Sequence, residues 1–235
     1  MKFVERENEI IEIIRKLSDF KMVVVGGYAV SARAKHRFSV DCDIVIPKDE
    51  LEKIVELVKK EEFEKTIIKD NLDNEYGGEF IRYVKKIEDL PVSVDILVSS
   101  LVCRTTSASW SFDYILKNSD KIIIAGIESS VECMVPNKEL LLAFKIHSAR
   151  KTDLRDIIML KDANWNAVKD HLNRGDSDVL KKQIGSMIKE LDSEYLADSL
   201  KGVFQLKEDV EKIIKDTKKK LTGLLNKIGV NDERN

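Results

Sequence analysis

Apolar positions along this chain change their period several times, and each change marks a predicted element. Between Val4 and Phe20 they fall at Ile10, Ile11, Ile13, Ile14, Leu17 and Phe20, the spacing of one buried helix face. Val23, Val24 and Val25 then form a short β-branched run that stops at Gly26-Gly27, and Tyr28 to Ala34 is again compatible with helix. Ile44, Val45 and Ile46 make a second apolar run. Pro47-Lys48-Asp49-Glu50 opens a further helix, with acids in the first turn where the helix dipole favours them, and with the stripe Leu51, Ile54, Val55 and Val58. Phe63–Lys69 and Glu79–Val84 read as the strands of a hairpin around the turn-rich Asp70–Gly78. Leu90–Val98 alternates strictly: Val92, Val94, Ile96 and Val98 share one face of a strand, Ser93, Asp95 and Leu97 the other. The polar stretch Cys103–Trp110 is predicted to be a loop, Ser111–Asn118 a short helix, and Lys121–Ile124 and Val131–Val135 brief strands around a turn near Gly126.

The pattern changes for good at Pro136. Asn137 is a plausible N-cap, and the LLLAFKIH that follows is apolar nearly all round, so its helix should be central. Thr152 is expected to cap another helix with Asp153 in its first turn. Val179–Leu191, Leu196–Phe204 and Leu206–Ile228 complete a helical remainder. The fold class is therefore α/β (α+β): a mixed sheet flanked by helices over residues 1–135, then an all-helical domain over residues 136–235.

Composition changes this picture little. The 235 residues include 40 basic and 42 acidic side chains, so the net charge of -2 offers no global attraction for nucleic acid, and any such affinity needs a local patch. Cys42, Cys103 and Cys133 lack metal-ligand spacing and read as reduced thiols. The charged start MKFVERENEI is unlike a signal peptide, and no apolar run is long enough to cross a bilayer, so a cytoplasmic location without membrane association is expected.

The candidate chemistry lies in Val23–Ile46. A glycine pair after a buried strand lets the backbone approach a ligand, and amides of Gly26 and Gly27 near a helix N-terminus suit phosphate oxygens. Arg37 and Ser39 precede Asp41 and Asp43, whose spacing puts both carboxylates on one face of a strand. Two such charges repel, and a hard divalent ion such as magnesium is the simplest group to sit between them. Asp95 is a further acid among apolar neighbours, either salt-bridged or part of the same site. Lys145, inside an apolar helix, either snorkels to the surface or faces a triphosphate. Arg150, Asp153 and Asp156 follow, the two acids on one helix face, and could equally form a structural salt-bridge cluster. His147 is expected to be a satisfied core residue, His36 to lie where substrate could touch it, and Lys218-Lys219-Lys220 to be solvated surface or a nucleic-acid contact.

The order strand, Gly26-Gly27, helix, Arg37-x-Ser39-x-Asp41-x-Asp43, strand resembles the nucleotidyltransferase superfamily typified by DNA polymerase β. Lys145, Ala149, Arg150, Asp153 and Asp156 further resemble the Lys-x-x-x-Ala-Arg…Asp-Leu-x-Asp pattern of its AbiEii-type, toxin-like members. That resemblance implies Asp41, Asp43 and Asp95 as catalytic ligands of two magnesium ions. It implies Gly26, Gly27, Arg37, Ser39, Lys145, Arg150, Asp153 and Asp156 as the nucleotide site, completed by the helical domain. An NTP would give its NMP to an acceptor hydroxyl with release of pyrophosphate, the acceptor being tRNA in a toxin-like enzyme with an antitoxin partner. An aminoglycoside-type small-molecule or protein adenylyltransferase is the alternative, and a catalytically silent nucleotide- or RNA-binding module a third reading.

Overall fold

The computed structural model describes residues 2–204 and 209–228, and the chain divides into two compact units, Met1–Val102 with Ser109–Asn137, and Cys103–Ala108 with Lys138–Asn235. In the first unit α1 (Lys2–Leu17) precedes β1 (Val23–Val25), α2 (Gly26–Arg33), β2 (Asp41–Ile46), a 3-10 turn over Lys48–Glu50, α3 (Leu51–Lys60), β3 (Glu64–Lys69), β4 (Glu79–Ile87) and β5 (Leu90–Val98). The predicted faces are the buried ones: Ile10, Ile11, Ile13, Ile14 and Leu17 on α1, and Val92, Val94, Ile96 and Val98 on β5. Five strands form one sheet in the order β1-β2-β5-β4-β3. The ladder of β2 with β5 is parallel, while β1 with β2, β4 with β5 and β3 with β4 are antiparallel. This is the mixed sheet flanked by helices that the sequence predicts.

The stretch read as a loop at Cys103–Trp110 is largely a hairpin, β6 (Ser100–Cys103) and β7 (Ala108–Ser111). Its hydroxyl-rich composition hides the strands, because Thr106, Ala108, Ser109 and Trp110 are all buried. Ser111 then caps α4 (Phe112–Lys117), its hydroxyl accepting the Tyr114 amide, and β8 (Ser119–Ala125) pairs with β9 (Ser130–Pro136) around Gly126. Arg33, at the end of α2, donates to the carbonyls of Val135 and Pro136 and to Asp120, each at 2.8 Å, which ties that helix to the β8–β9 hairpin.

The second unit holds α5 (Lys138–Ser148), α6 (Lys151–Met159), α7 (Trp165–Leu172), α8 (Ser177–Glu190), α9 (Glu194–Phe204) and α10 (Val210–Leu225), the largely helical region expected. Leu206, read as the start of the last helix, lies outside the described residues. The N-cap of α6 is Arg150 rather than Thr152: Asp153, at the third helical position, accepts the Arg150 amide at 3.0 Å and so supplies from inside the helix the acceptor that a threonine cap would have given.

Helix α5 is buried nearly all round, as its composition requires, and His147 on it is fully buried. Its Nε2 faces the Leu172 carbonyl at 3.1 Å and so donates, which leaves Nδ1 to accept from the Thr106 hydroxyl at 2.8 Å. Thr106 in turn accepts the Asp176 amide at 2.7 Å, and Gly175, at φ +63°, passes so close that a Cβ there would stand 2.1 Å from the Thr106 carbonyl oxygen.

Burial pushes the His147 imidazole down to about 4, against the smaller upward pull of the Leu172 carbonyl. The unfolded chain therefore binds a proton that the folded chain refuses, and stability falls as pH drops from about 6.5 to about 4. Chemical denaturation at pH 7 and pH 4 should show His147→Gln losing less stability across that interval than the parent chain, by about 3 kcal/mol. Equal losses would show that His147 does not control it.

Candidate active site

Strand register assembles the acidic cluster. Asp41 lies opposite Ser93 and Asp43 opposite Asp95 on the parallel β2–β5 ladder, while Arg82 on β4 lies opposite Asp95 from the other side. Residues two apart on a strand share a face, so Asp41, Asp43, Ser93, Asp95 and Arg82 all project from the same face of the sheet. Asp41 is exposed and accepts the Ser93 hydroxyl at 2.8 Å; Asp43 is half-buried; Asp95 is 3% exposed.

A buried carboxylate needs a partner, and Asp95 has one that the sequence did not announce. Arg82 Nε donates to Asp95 Oδ1 at 2.7 Å and Arg82 Nη2 to Oδ2 at 2.5 Å, a two-point fork. The same contact raises Arg82 further above its already high range. Of the two expectations for Asp95, the salt bridge is the one present in this structure. Arg82 escaped notice because it stands among alternating residues of an ordinary strand; the available signal was a lone cation in hairpin register with a buried acid.

The glycine pair closes on the same cluster. Gly26 has φ +66°, and a Cβ there would lie 1.9 Å from Asp43 Oδ2, so both the backbone angle and the carboxylate demand glycine. A Cβ on Gly27 would lie 3.0 Å from Ser39 Oγ and 3.1 Å from Arg37 Nη2. Gly26 and Gly27 are the first residues of α2, as the phosphate-binding expectation needs.

The irregular stretch that carries Arg37 and Ser39, residues 34–40, is held from two helices. Tyr28 on α2, its phenol pushed upward by burial and so kept protonated, donates to the Ser39 carbonyl at 3.0 Å, and Ser31 donates to the Arg37 carbonyl at 3.2 Å. From α1, the fully buried Glu7 meets His36 Nε2 at 2.7 Å and accepts the Ile127 amide at 2.6 Å. His36, placed by sequence within reach of substrate, here anchors the loop. Gly26, Gly27, Arg37, Ser39, Asp41, Asp43 and Asp95 are thus brought together.

Among the described residues, no group of three or more His, Cys, Asp or Glu side chains is arranged to hold a metal ion. Asp41 and Asp43 still fit magnesium by donor chemistry, since that ion takes one or two carboxylates and completes its shell with water and substrate phosphates. Asp95 does not fit in this arrangement, because Arg82 engages both of its oxygens.

In the helical unit, Lys145 neither snorkels nor stands open. Its side chain is 13% exposed, with Nζ 2.7 Å from Asp153 Oδ1 and 2.8 Å from Asp156 Oδ2. Burial would lower the ammonium, but Asp156 and Asp153 outweigh it and raise it; burial would raise Asp153, but Lys145 outweighs that and lowers it. The salt-bridge cluster anticipated as one reading is present. Arg150 instead lines a cleft of about 360 Å³ with Lys151, Lys182, Gln183, Leu154 and Met187. The lysine run on α10 is partly engaged: Lys218 pairs with Asp192 at 2.6 Å, while Lys220 donates to the Lys161 carbonyl at 2.7 Å and lies over the Trp165 ring.

No family model matches the chain, and no curated protein does. Among solved structures it is similar to a candidate nucleotidyltransferase from H. pylori, at TM-score 0.50 and 19% identity, covering 96% of both chains. It is also similar to JHP933 from Helicobacter pylori, at TM-score 0.50 and 18% identity, covering 96% of this chain and 93% of that one. These likenesses establish the fold, which the chain shares with both proteins. No helix among the described residues is long and apolar enough to cross a membrane.

Because Asp43 packs directly on Gly26, Gly26→Ala should displace that carboxylate and strain the backbone, lowering unfolding free energy by about 2–3 kcal/mol. Gly27→Ala meets only side-chain ends and should cost about 1 kcal/mol or less. Urea denaturation of both variants checks the difference; equal stabilities would mean that the contact does not constrain the site.

Proposed function

We propose that this chain is a metal-dependent nucleotidyltransferase that moves an NMP from an NTP to an acceptor hydroxyl. The observation that carries the reading is that Gly26 packs on Asp43, itself paired in register with Asp95, while Ser39 and Arg37 lie beside Gly27. A glycine turn that opens a helix, basic and hydroxyl groups beside it, and a facing acidic cluster are what a triphosphate and its cation require. The fold supports the general class.

In this reading Asp41 and Asp43 would hold magnesium. Bound there, the ion would supply charge stabilisation at the phosphates and a lowered pKa for the acceptor hydroxyl. The Gly26 and Gly27 amides bind phosphate oxygens, and Arg37 and Ser39 orient the leaving pyrophosphate. The acceptor oxygen attacks the α-phosphorus, the bond to the bridging oxygen breaks, pyrophosphate leaves, and the hydroxyl proton passes to solvent. In the helical unit Lys145 is committed to Asp153 and Asp156, while Arg150 lines the neighbouring cleft. The other three then fix the α5–α6 turn that presents Arg150.

For the acceptor we propose tRNA, with a small molecule or a protein as the outcome that would replace it. Arg150, Lys151 and Lys182 around the α6–α8 cleft make no ion pair among the described residues, which leaves them available to phosphates.

Incubation with each labelled NTP, magnesium, and either a tRNA pool, an aminoglycoside or cell-extract protein should label tRNA. Asp41→Asn and Asp43→Asn should each abolish the label with the circular dichroism spectrum retained. Label uptake that persists in the double variant would sink the nucleotidyltransferase reading. Label found only on small molecules or protein would move the acceptor.

If those three cations make the contacts, log Kd for tRNA should rise against log salt with a slope of about 2–3, the scale for three phosphates. Charge reversal at Arg150, Lys151 and Lys182 should flatten that slope and leave NTP turnover on a non-RNA acceptor unchanged. A slope near zero in the parent chain would exclude a phosphate-led RNA contact.

A further inference from the structure

The two-ion arrangement implied by resemblance needs Asp95 as a ligand, and the sheet gives Asp95 another occupation. Arg82 approaches from β4, directly opposite Asp95 in register, and fills both carboxylate oxygens with a planar fork at 2.7 and 2.5 Å. The Asp95 side chain is only 5% exposed, so its remaining surface offers little to a hydrated ion. The Arg82 guanidinium also lies 5.9 Å from the centre of the Phe80 ring, a second favourable contact for a cation in that position.

We propose that Arg82 is an internal counter-ion standing where a second divalent ion would be needed, so that this centre takes one such ion, at Asp41 and Asp43. The inference rests on the metal-dependent reading above. Arg82 is a positioning residue in it: it fixes Asp95 and sets the number of ions, without itself touching the reacting atoms. A buried carboxylate already paired at two points has no charge left to draw in a cation. Opening the pair would put a freed guanidinium beside an incoming positive ion.

Titration with Mn2+ alone, followed by the paramagnetic resonance signal of the free ion, tests this without turnover. The parent chain should bind one Mn2+, and Asp43→Asn should lose it. Asp95→Asn should keep one ion, since in this reading Asp95 is not a ligand, but bind it more weakly, because the Arg82 guanidinium then stands uncompensated beside Asp43. Arg82→Gln should gain a second ion, and Asp95→Asn added to Arg82→Gln should remove it again. Two ions in the parent chain, one of them lost in Asp95→Asn, would overturn the inference and leave the metal-dependent reading standing. An Arg82→Gln chain that still binds one ion would overturn the role given to Arg82. No binding to the parent chain or to Arg82→Gln would overturn both readings together. Should Arg82→Gln fail to fold, the Asp95→Asn titration decides alone: a single ion retained supports the inference, a lost ion overturns it.

Discussion

The parallel ladder between β2 and β5 sets Asp43 beside Asp95, and the local architecture at that end of the sheet answers the repulsion this creates. Two carboxylates on neighbouring strands, one of them buried, are an expensive pairing in a low-dielectric interior. Arg82 answers on one side, from the next strand in the sheet, and Ser93 donates to Asp41 on the other. Gly26 lacks the Cβ that would collide with the Asp43 carboxylate lying against the α2 N-terminus, where partial positive charge is available. Charge, register and the glycine turn are therefore one arrangement, and a change in any of them is felt by the others.

The helical unit meets a similar demand with the polarity inverted. There a single buried ammonium, Lys145, is shared between two carboxylates one turn apart on α6. Removing one partner of such a buried group typically costs about 3–5 kcal/mol, because the charge left behind cannot reach water. Glu7, fully buried between His36 and the Ile127 amide, follows the same rule on α1. Each of these clusters fixes a segment that carries residues of the proposed sites: the loop of Arg37 and Ser39, the sheet end of Asp95, and the α5–α6 turn of Arg150. Internal ion pairs in this chain serve to aim backbone as much as to add stability.

Most of the fold could be read from the chain because its signals are local. The stripe of α1, the valine run before Gly26-Gly27 and the strict alternation of Leu90–Val98 each report one buried face. The misread segments failed for a tertiary reason. Cys103–Trp110 is polar in composition, yet Thr106, Ala108, Ser109 and Trp110 are buried, and the Thr106 hydroxyl finds a partner in His147, distant in sequence. The α6 cap moved from Thr152 to Arg150 because Asp153 turned back to the backbone ahead of it. At the candidate site the acids and glycines were legible, as their spacing carries the geometry. Arg82 was not, because nothing in Phe80–Val84 distinguishes a strand arginine facing water from one facing Asp95 until the hairpin register is known. Lys145 was visible as an anomaly but not as a bridge.

That difference bears on how far a motif can be trusted. Three aspartates in the right order specify where carboxylates stand, but their use depends on which cation reaches each first. An arginine supplied by the fold is present before any solution ion arrives, and its effective concentration is set by a neighbouring strand rather than by the medium. Where that internal cation makes a two-point contact in a site closed to water, a motif residue can keep its place in the pattern while its charge is already balanced. Asp95 meets both conditions, whereas Asp41, exposed and hydrogen-bonded through one oxygen to Ser93, meets neither. In the proposed one-ion centre, the part Asp95 plays is therefore set less by the acidic motif than by the strand that runs beside it.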